Sequence, residues 1–166
     1  MKITSEDKRI LTERTYEGKR VRFTVLSRSM VEQFVVQEPH LVISITDPQS
    51  PEAGLAESDQ RIAVIRLQFH DTGDYGQPLR DRIVMSNEDA EKILDFCREH
   101  QHVPLIVCQC EAGMSRSAGI AAALSRIFQD DDRFFFANFA PNRWVYRTVL
   151  DVYERRGASI NVVEAE

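Results

Sequence analysis

The chain has little cysteine, little lysine and no long apolar run. Three cysteines are few and odd in number, so they do not make a disulfide framework. A reducing, cytoplasmic setting is therefore expected, and any functional cysteine would be a free thiol. No hydrophobic stretch approaches the ~20 residues of a membrane-spanning helix. The charged start, Met1 to Arg14, lacks the apolar segment of a secretory signal. Lysine occurs four times against seventeen arginines, and the net charge is −5. A general binder of nucleic acid or of anionic membrane needs a positive field, so neither partner is expected. A local anion site remains open, because arginine is the side chain suited to bidentate phosphate or carboxylate recognition. There is no internal repeat and no low-complexity block.

What is present is ordinary for a globular domain: 166 residues, 43% hydrophobic and 28% charged. That length can bury its own core. A single domain over residues 1–157 is expected, monomeric, with an acidic mobile tail at 158–166.

Strand-like and helix-like segments alternate. Val21 to Leu26 reads as a strand, and Ser27 or Ser29 is placed to cap a helix through about Gln37. Leu41 to Ile45 reads as a buried strand, 47–60 as loop, Ile62 to Phe69 as a strand and 70–82 as a second long loop. Ser86 opens a helix, with Asp89 three residues on as in a capping box. Val103 to Cys108 is a short apolar run, read as a central strand with Pro104 at its start. Ala118 to Phe128 is Ala-rich and helical. A last helix is expected from about Pro141 to Arg156, with Gly157 as its stop. This order predicts an α/β fold: three layers, a mainly parallel central sheet flanked by helices.

The informative segment is Cys110-Glu111-Ala112-Gly113-Met114-Ser115-Arg116-Ser117, between the central strand and the Ala-rich helix. Loops at the carboxyl ends of strands are where α/β sheets bind ligands. A loop that opens a helix directs backbone N–H groups and the positive end of the helix dipole at one spot. This makes a phosphate cradle of Glu111, Ala112, Gly113, Met114, Ser115 and Arg116. Gly113 lets the backbone turn, and Arg116 can give two parallel N–H bonds to phosphate oxygens. The same field favours a thiolate at Cys110.

Cys110-x5-Arg116-Ser117 resembles the phosphate-binding signature of the cysteine-dependent protein tyrosine phosphatases. The short chain, the late position of the motif and the Ala-rich helix after it resemble the dual-specificity branch. Pro141-Asn142-Arg143-Trp144 before the last helix adds to the likeness, which spans about residues 20–157. The resemblance implies a phosphatase P-loop, a Cys110 nucleophile and a phosphocysteine intermediate. It implies that Arg116 holds the phosphate oxygens, that Ser117 assists departure of the thiolate, and that no metal or other cofactor is needed. The family has His before the nucleophile; here Gln109 stands there and carries no charge. The family's general acid is an Asp on the loop after the preceding strand. Asp71 fits best, with Asp74 and Asp81 as alternatives.

The loop interior offers no lysine, which disfavours polyanionic lipid or triphosphate substrates. A phosphorylated protein or peptide is the expected partner, phosphotyrosine first, with dual specificity open. Two other functions stay open: a phosphatase-like phosphoprotein-binding module with weak or no turnover, motivated by Gln109, and a sulfur-transfer or arsenate-reducing enzyme. Cys97 and Cys108 read as core thiols. Cys108-Gln109-Cys110 lacks further ligands at metal-binding spacing.

Overall fold

The structure is a computed structural model that describes residues 3–72 and 81–164, with side chains as far as Gly157. Helix α1 (Ser5–Glu13) is followed by strands β1 (Thr15–Tyr16) and β2 (Arg22–Leu26) and by helix α2 (Arg28–Gln33). Next come β3 (His40–Thr46), β4 (Arg61–Gln68), α3 (Asn87–Glu99) and β5 (Leu105–Gln109). Three helices end the chain: α4 (Arg116–Gln129), α5 (Arg133–Asn138) and α6 (Arg143–Glu164).

The strands form one sheet in the order β1-β2-β5-β3-β4. All neighbours are parallel except the β1–β2 pair. Helices on both faces explain why β3 and β5 are rich in apolar residues: every residue of either strand is buried, the polar Ser44 and Gln109 included. Leu41, Ile43, Ile45, Ile106 and Cys108 face the larger core under α3, α4 and α6. Val42 and Val107, one position out of phase, face a smaller core with Val31 and Phe34. Alanines 118 and 121–123 of α4 are fully buried, and their small side chains let α4 pack close to its neighbours. The fold class read from the sequence is the one observed.

Parallel pairing brings the carboxyl ends of β2, β5, β3 and β4 to one edge. Ser27, Cys110, Asp47 and Phe69 follow those ends directly or one residue on. Thr4 and Ser86 build reciprocal capping boxes with Asp7 and Asp89 at the starts of α1 and α3.

Several local expectations are corrected. Gly157 does not stop the last helix, which runs to Glu164. A C-terminal stop uses a left-handed glycine, and among the described residues the one glycine with positive φ is Gly113. Helix α2 ends at Gln33 rather than Gln37. Helix α1, the two-residue β1 and helix α5 were not expected. The Phe134–Phe136 run of α5 inserts Phe135, fully buried, against Tyr16 and Phe23. Among the described residues no helix is long and apolar enough to cross a membrane.

Candidate active site

After Gln109 the chain leaves the sheet, with the Cys110 N–H still donating to the Leu26 carbonyl at 3.3 Å. Cys110 is buried at the base of the loop that leads into α4. Gly113 sits at φ +66°, and a Cβ there would lie 2.4 Å from the Ser27 nitrogen. No other residue fits this turn without displacing β2.

The loop's carbonyls are held from outside. Glu111 O accepts from Arg28 N (3.1 Å), Met114 O from Ala140 N (3.0 Å), and Ser115 O from the N–H groups of Gly119 (2.8 Å) and Asn142 (2.9 Å). Gly113 O accepts from Arg14 Nη2 at 2.5 Å. The N–H groups of residues 111–115 donate to nothing among the described residues. Ser115, which starts α4, gives its helix no side-chain cap. Carbonyls turned outward and unspent amides at a helix N-terminus make an anion nest.

Arg116 and Ser117 project from the first turn of α4. Arg116 Nη1 donates to Asp47 Oδ1 (2.6 Å) and to the Phe69 carbonyl (2.7 Å). These bonds fix the buried guanidinium from behind, while its Nε is buried with no partner among the described residues. A buried N–H of a permanent cation without an acceptor is costly, so this atom can take an added acceptor such as an oxyanion. Ser117 Oγ lies 3.1 Å from Cys110 Sγ, both side chains being out of solvent.

Asp71 reaches the rim of the loop from beyond β4. Its Oδ1 accepts from Ser115 Oγ (2.7 Å) and from Asn142 Nδ2 (2.8 Å). His70 closes the base of this segment: its N–H donates to the Ile83 carbonyl (2.7 Å), and its Nδ1 accepts from Ile83 N (2.9 Å). The structure thus brings Cys110, Arg116, Ser117 and Asp71 to one place. Asp81 is exposed. Asp74 lies outside the described residues.

Glu111 is ion-paired away from the nest with Arg28 Nη1 (2.8 Å), while Ala112 and Met114 are exposed. Gln109 is fully buried and accepts from Ser44 Oγ at 2.5 Å, turned toward β3. Burial pushes the Cys97 thiol up to about 12 and raises that of Cys108. Both therefore behave as core thiols. Among the described residues no cluster of three metal-binding side chains occurs.

Three contributors escaped the sequence reading. Asp47 is the first residue past β3, a place that parallel topology sends to the site edge. Asn142 caps α6, its Oδ1 accepting from Val145 N at 3.0 Å; an Asn just ahead of a helical segment is the signal for that role. Arg14 is distant in sequence and gave no signal.

No protein-family model matches the sequence, and no curated protein does. Among solved structures it is similar to a mouse putative dual specificity phosphatase complexed with zinc tungstate. That match has a TM-score of 0.55 and 13% identity over 88% of this chain and 89% of the other. A looser match, TM-score 0.47 and 16% identity over 74% and 79%, is a human tyrosine phosphatase-like serine/threonine/tyrosine-interacting protein. At such identities the likeness is one of fold: the chain has the dual-specificity phosphatase fold.

Proposed function

We propose that the protein hydrolyses phosphomonoesters of proteins, phosphotyrosine first, through a phosphocysteine intermediate. The observation that carries this reading is the nest itself. A buried cysteine lies 3.1 Å from a helix-start hydroxyl, beneath amides without acceptors and beside an arginine clamped by Asp47 and Phe69.

In the first step the Cys110 thiolate attacks phosphorus in line with the ester oxygen. The S–P bond forms, the P–O bond breaks, and protonated Asp71 gives its proton to the leaving oxygen. Arg116 Nε and the loop amides hold the equatorial oxygens as charge redistributes among them. In the second step ionised Asp71 takes a proton from water, the water oxygen attacks phosphorus, and the S–P bond breaks. Ser117 hydrogen-bonds the departing thiolate, and inorganic phosphate is released. Asp71 bridged by Ser115 and Asn142 supports its role as the acid, because both donors belong to the elements that frame the loop.

The absence of lysine among residues 110–117 and the ion-pairing of Glu111 outside the nest support a singly phosphorylated substrate over a polyanionic one. Steady-state hydrolysis of p-nitrophenyl phosphate by the wild type and by Cys110→Ser tests the reading, with rapid-quench mass spectrometry for the phosphocysteine. Equal rates in the two proteins, or no turnover in either, reject it. Neutral Gln109 favours the second reading, a phosphoprotein-binding module. Phosphopeptide binding without turnover is its signature.

A further inference from the structure

We propose that Arg14 is a positioning residue for the phosphate loop, one whose cationic fork pins the loop's apex to β2. The inference rests on the proposed phosphatase reading of the Cys110 loop.

Arg14 lies between α1 and β1, ninety-nine residues from Gly113 in sequence. Its place is fixed by Val25: Val25 N donates to the Arg14 carbonyl (3.1 Å), and Arg14 Nε donates to the Val25 carbonyl (2.6 Å). The second prong of the same guanidinium, Nη2, donates to Gly113 O at 2.5 Å. Its flat face lies over Phe139, 5.0 Å from the ring centroid. One rigid, partly buried fork therefore bridges a strand carbonyl and the apex carbonyl of the loop. Lysine has no such fork.

The consequence for the loop is directional. A peptide unit with its carbonyl held outward keeps its following N–H on the opposite side. The Gly113 carbonyl held by Arg14 thus turns the Met114 N–H into the nest. A Cβ on Gly113 would come within 2.9 Å of Arg14 Nη2, so the glycine and the arginine fit one another.

The charge matters as well. Burial lowers the Arg14 pKa, and the negative charge of Cys110 raises it. The guanidinium is thus a permanent charge close enough to Cys110 for the two to interact. The other charged or titratable groups around Cys110 are Arg116, neutralised in part by Asp47, the Cys108 thiol on β5, Asp71 at the rim, and the Arg28–Glu111 pair. Position 109, next to the nucleophile, supplies no charge. Arg14 is a cation near the thiol whose own hydrogen bonds go to neutral carbonyls.

The test compares Arg14→Met and Arg14→Lys with the wild type by two readouts. One is kcat and KM for p-nitrophenyl phosphate. The other is the rate of Cys110 alkylation by iodoacetamide at pH 6.5, located by peptide mass spectrometry with Cys110→Ser as the blank. Loss of a charge-assisted hydrogen bond corresponds to roughly ten- to a hundredfold. Arg14→Met is expected to lower kcat/KM about tenfold or more and to slow alkylation about tenfold. Arg14→Lys, which keeps the charge and loses the fork, should recover the alkylation rate and leave KM raised. Near-ultraviolet circular dichroism and Tm establish that both variants are folded. Unchanged kinetics and alkylation in folded Arg14→Met overturn the proposal, as does a loss that only tracks the unfolded fraction. Alkylation reads the arginine without any turnover. An inactive wild type with an Arg14-dependent alkylation rate therefore rejects the phosphatase reading and keeps the positioning role.

Discussion

Asn142 joins Asp71, the proposed acid, to the Cys110 loop, and its substitution separates stability from chemistry. Its Oδ1 caps α6 through Val145 N, its Nδ2 donates to Asp71 Oδ1 at 2.8 Å and to the Thr72 carbonyl at 3.3 Å, and its backbone N–H holds Ser115 O. Asn142→Ala removes all side-chain bonds. Loss of the cap costs about 1 kcal/mol. Loss of the bond to Asp71 costs about 1 kcal/mol more, low for a charged acceptor because Asp71 is exposed and keeps Ser115. At about 2–4 °C per kcal/mol for a chain of this size, Tm should fall by about 4–8 °C. Asn142→Ser keeps a capping oxygen but cannot reach Asp71. A serine cap is nearly as good, so only the bond to Asp71 is lost and its Tm should fall by about 2–4 °C. Both variants leave Asp71 held by Ser115 alone, and the rate penalty should appear where proton donation matters. The assay is kcat for phenyl phosphate, a poor leaving group, against p-nitrophenyl phosphate, a good one. For Asn142→Ser we expect about a tenfold loss on the first and under about threefold on the second. Equal losses on both esters, or full activity on phenyl phosphate, would refute the assignment of Asp71 as a docked acid.

Asp71→Asn should lower kcat on phenyl phosphate by about a hundredfold or more and remove the basic limb of the kcat/KM profile; a surviving limb points to another acid. Gly113→Ala forces a left-handed alanine into contact with Ser27 and Leu26. It should cost about 2–4 kcal/mol in urea unfolding and abolish phosphate binding measured by calorimetry, a neutral result being incompatible with this turn. The Cys97 thiol, at about 12 when folded against an ordinary 9.0, ionises first in the unfolded chain. Its contribution to stability is complete below pH 9.0 and is lost as pH rises from there toward about 12. Urea unfolding between pH 8 and about 10.5 should show a steeper decline in wild type than in Cys97→Ala, and identical slopes would contradict the burial of that thiol.

The parts of the fold legible in the sequence are those whose burial is two-sided or whose caps are chemical. β3 and β5 stand out as mostly apolar runs, Leu41 to Ile45 and Leu105 to Cys108, and α3 announces itself through Ser86 and Asp89. The nucleophile loop is legible because its residues are contiguous. Helix α5 was hidden because three consecutive phenylalanines have no helical period; only Phe135 of them is fully buried. Helix α1 buries no residue completely, so its pattern is mostly polar. The two-residue β1 is too short for any alternation. Gly157 misled because a glycine stops a helix only by turning left-handed, and here it stays helical with open space around it. Asp47 and Arg14 act on the loop across strand pairings, through contacts that exist only once β2, β3 and β5 are aligned.

The outward-held carbonyls of the loop carry a consequence for selectivity. Amide hydrogens and a guanidinium N–H read oxygens in a tetrahedron and do not sense the element at its centre. Sulfate, arsenate, vanadate and tungstate therefore present the same face as phosphate and should compete for the nest. Discrimination among them falls to charge, since a doubly charged phosphate ester meets the helix start and Arg116 more strongly than a singly charged sulfate ester. It falls next to the sulfur beneath, which can displace a leaving group only from a centre that Asp71 helps to unload. On the proposed function, the loop would sort by shape and charge, and the thiol and the carboxyl by reaction.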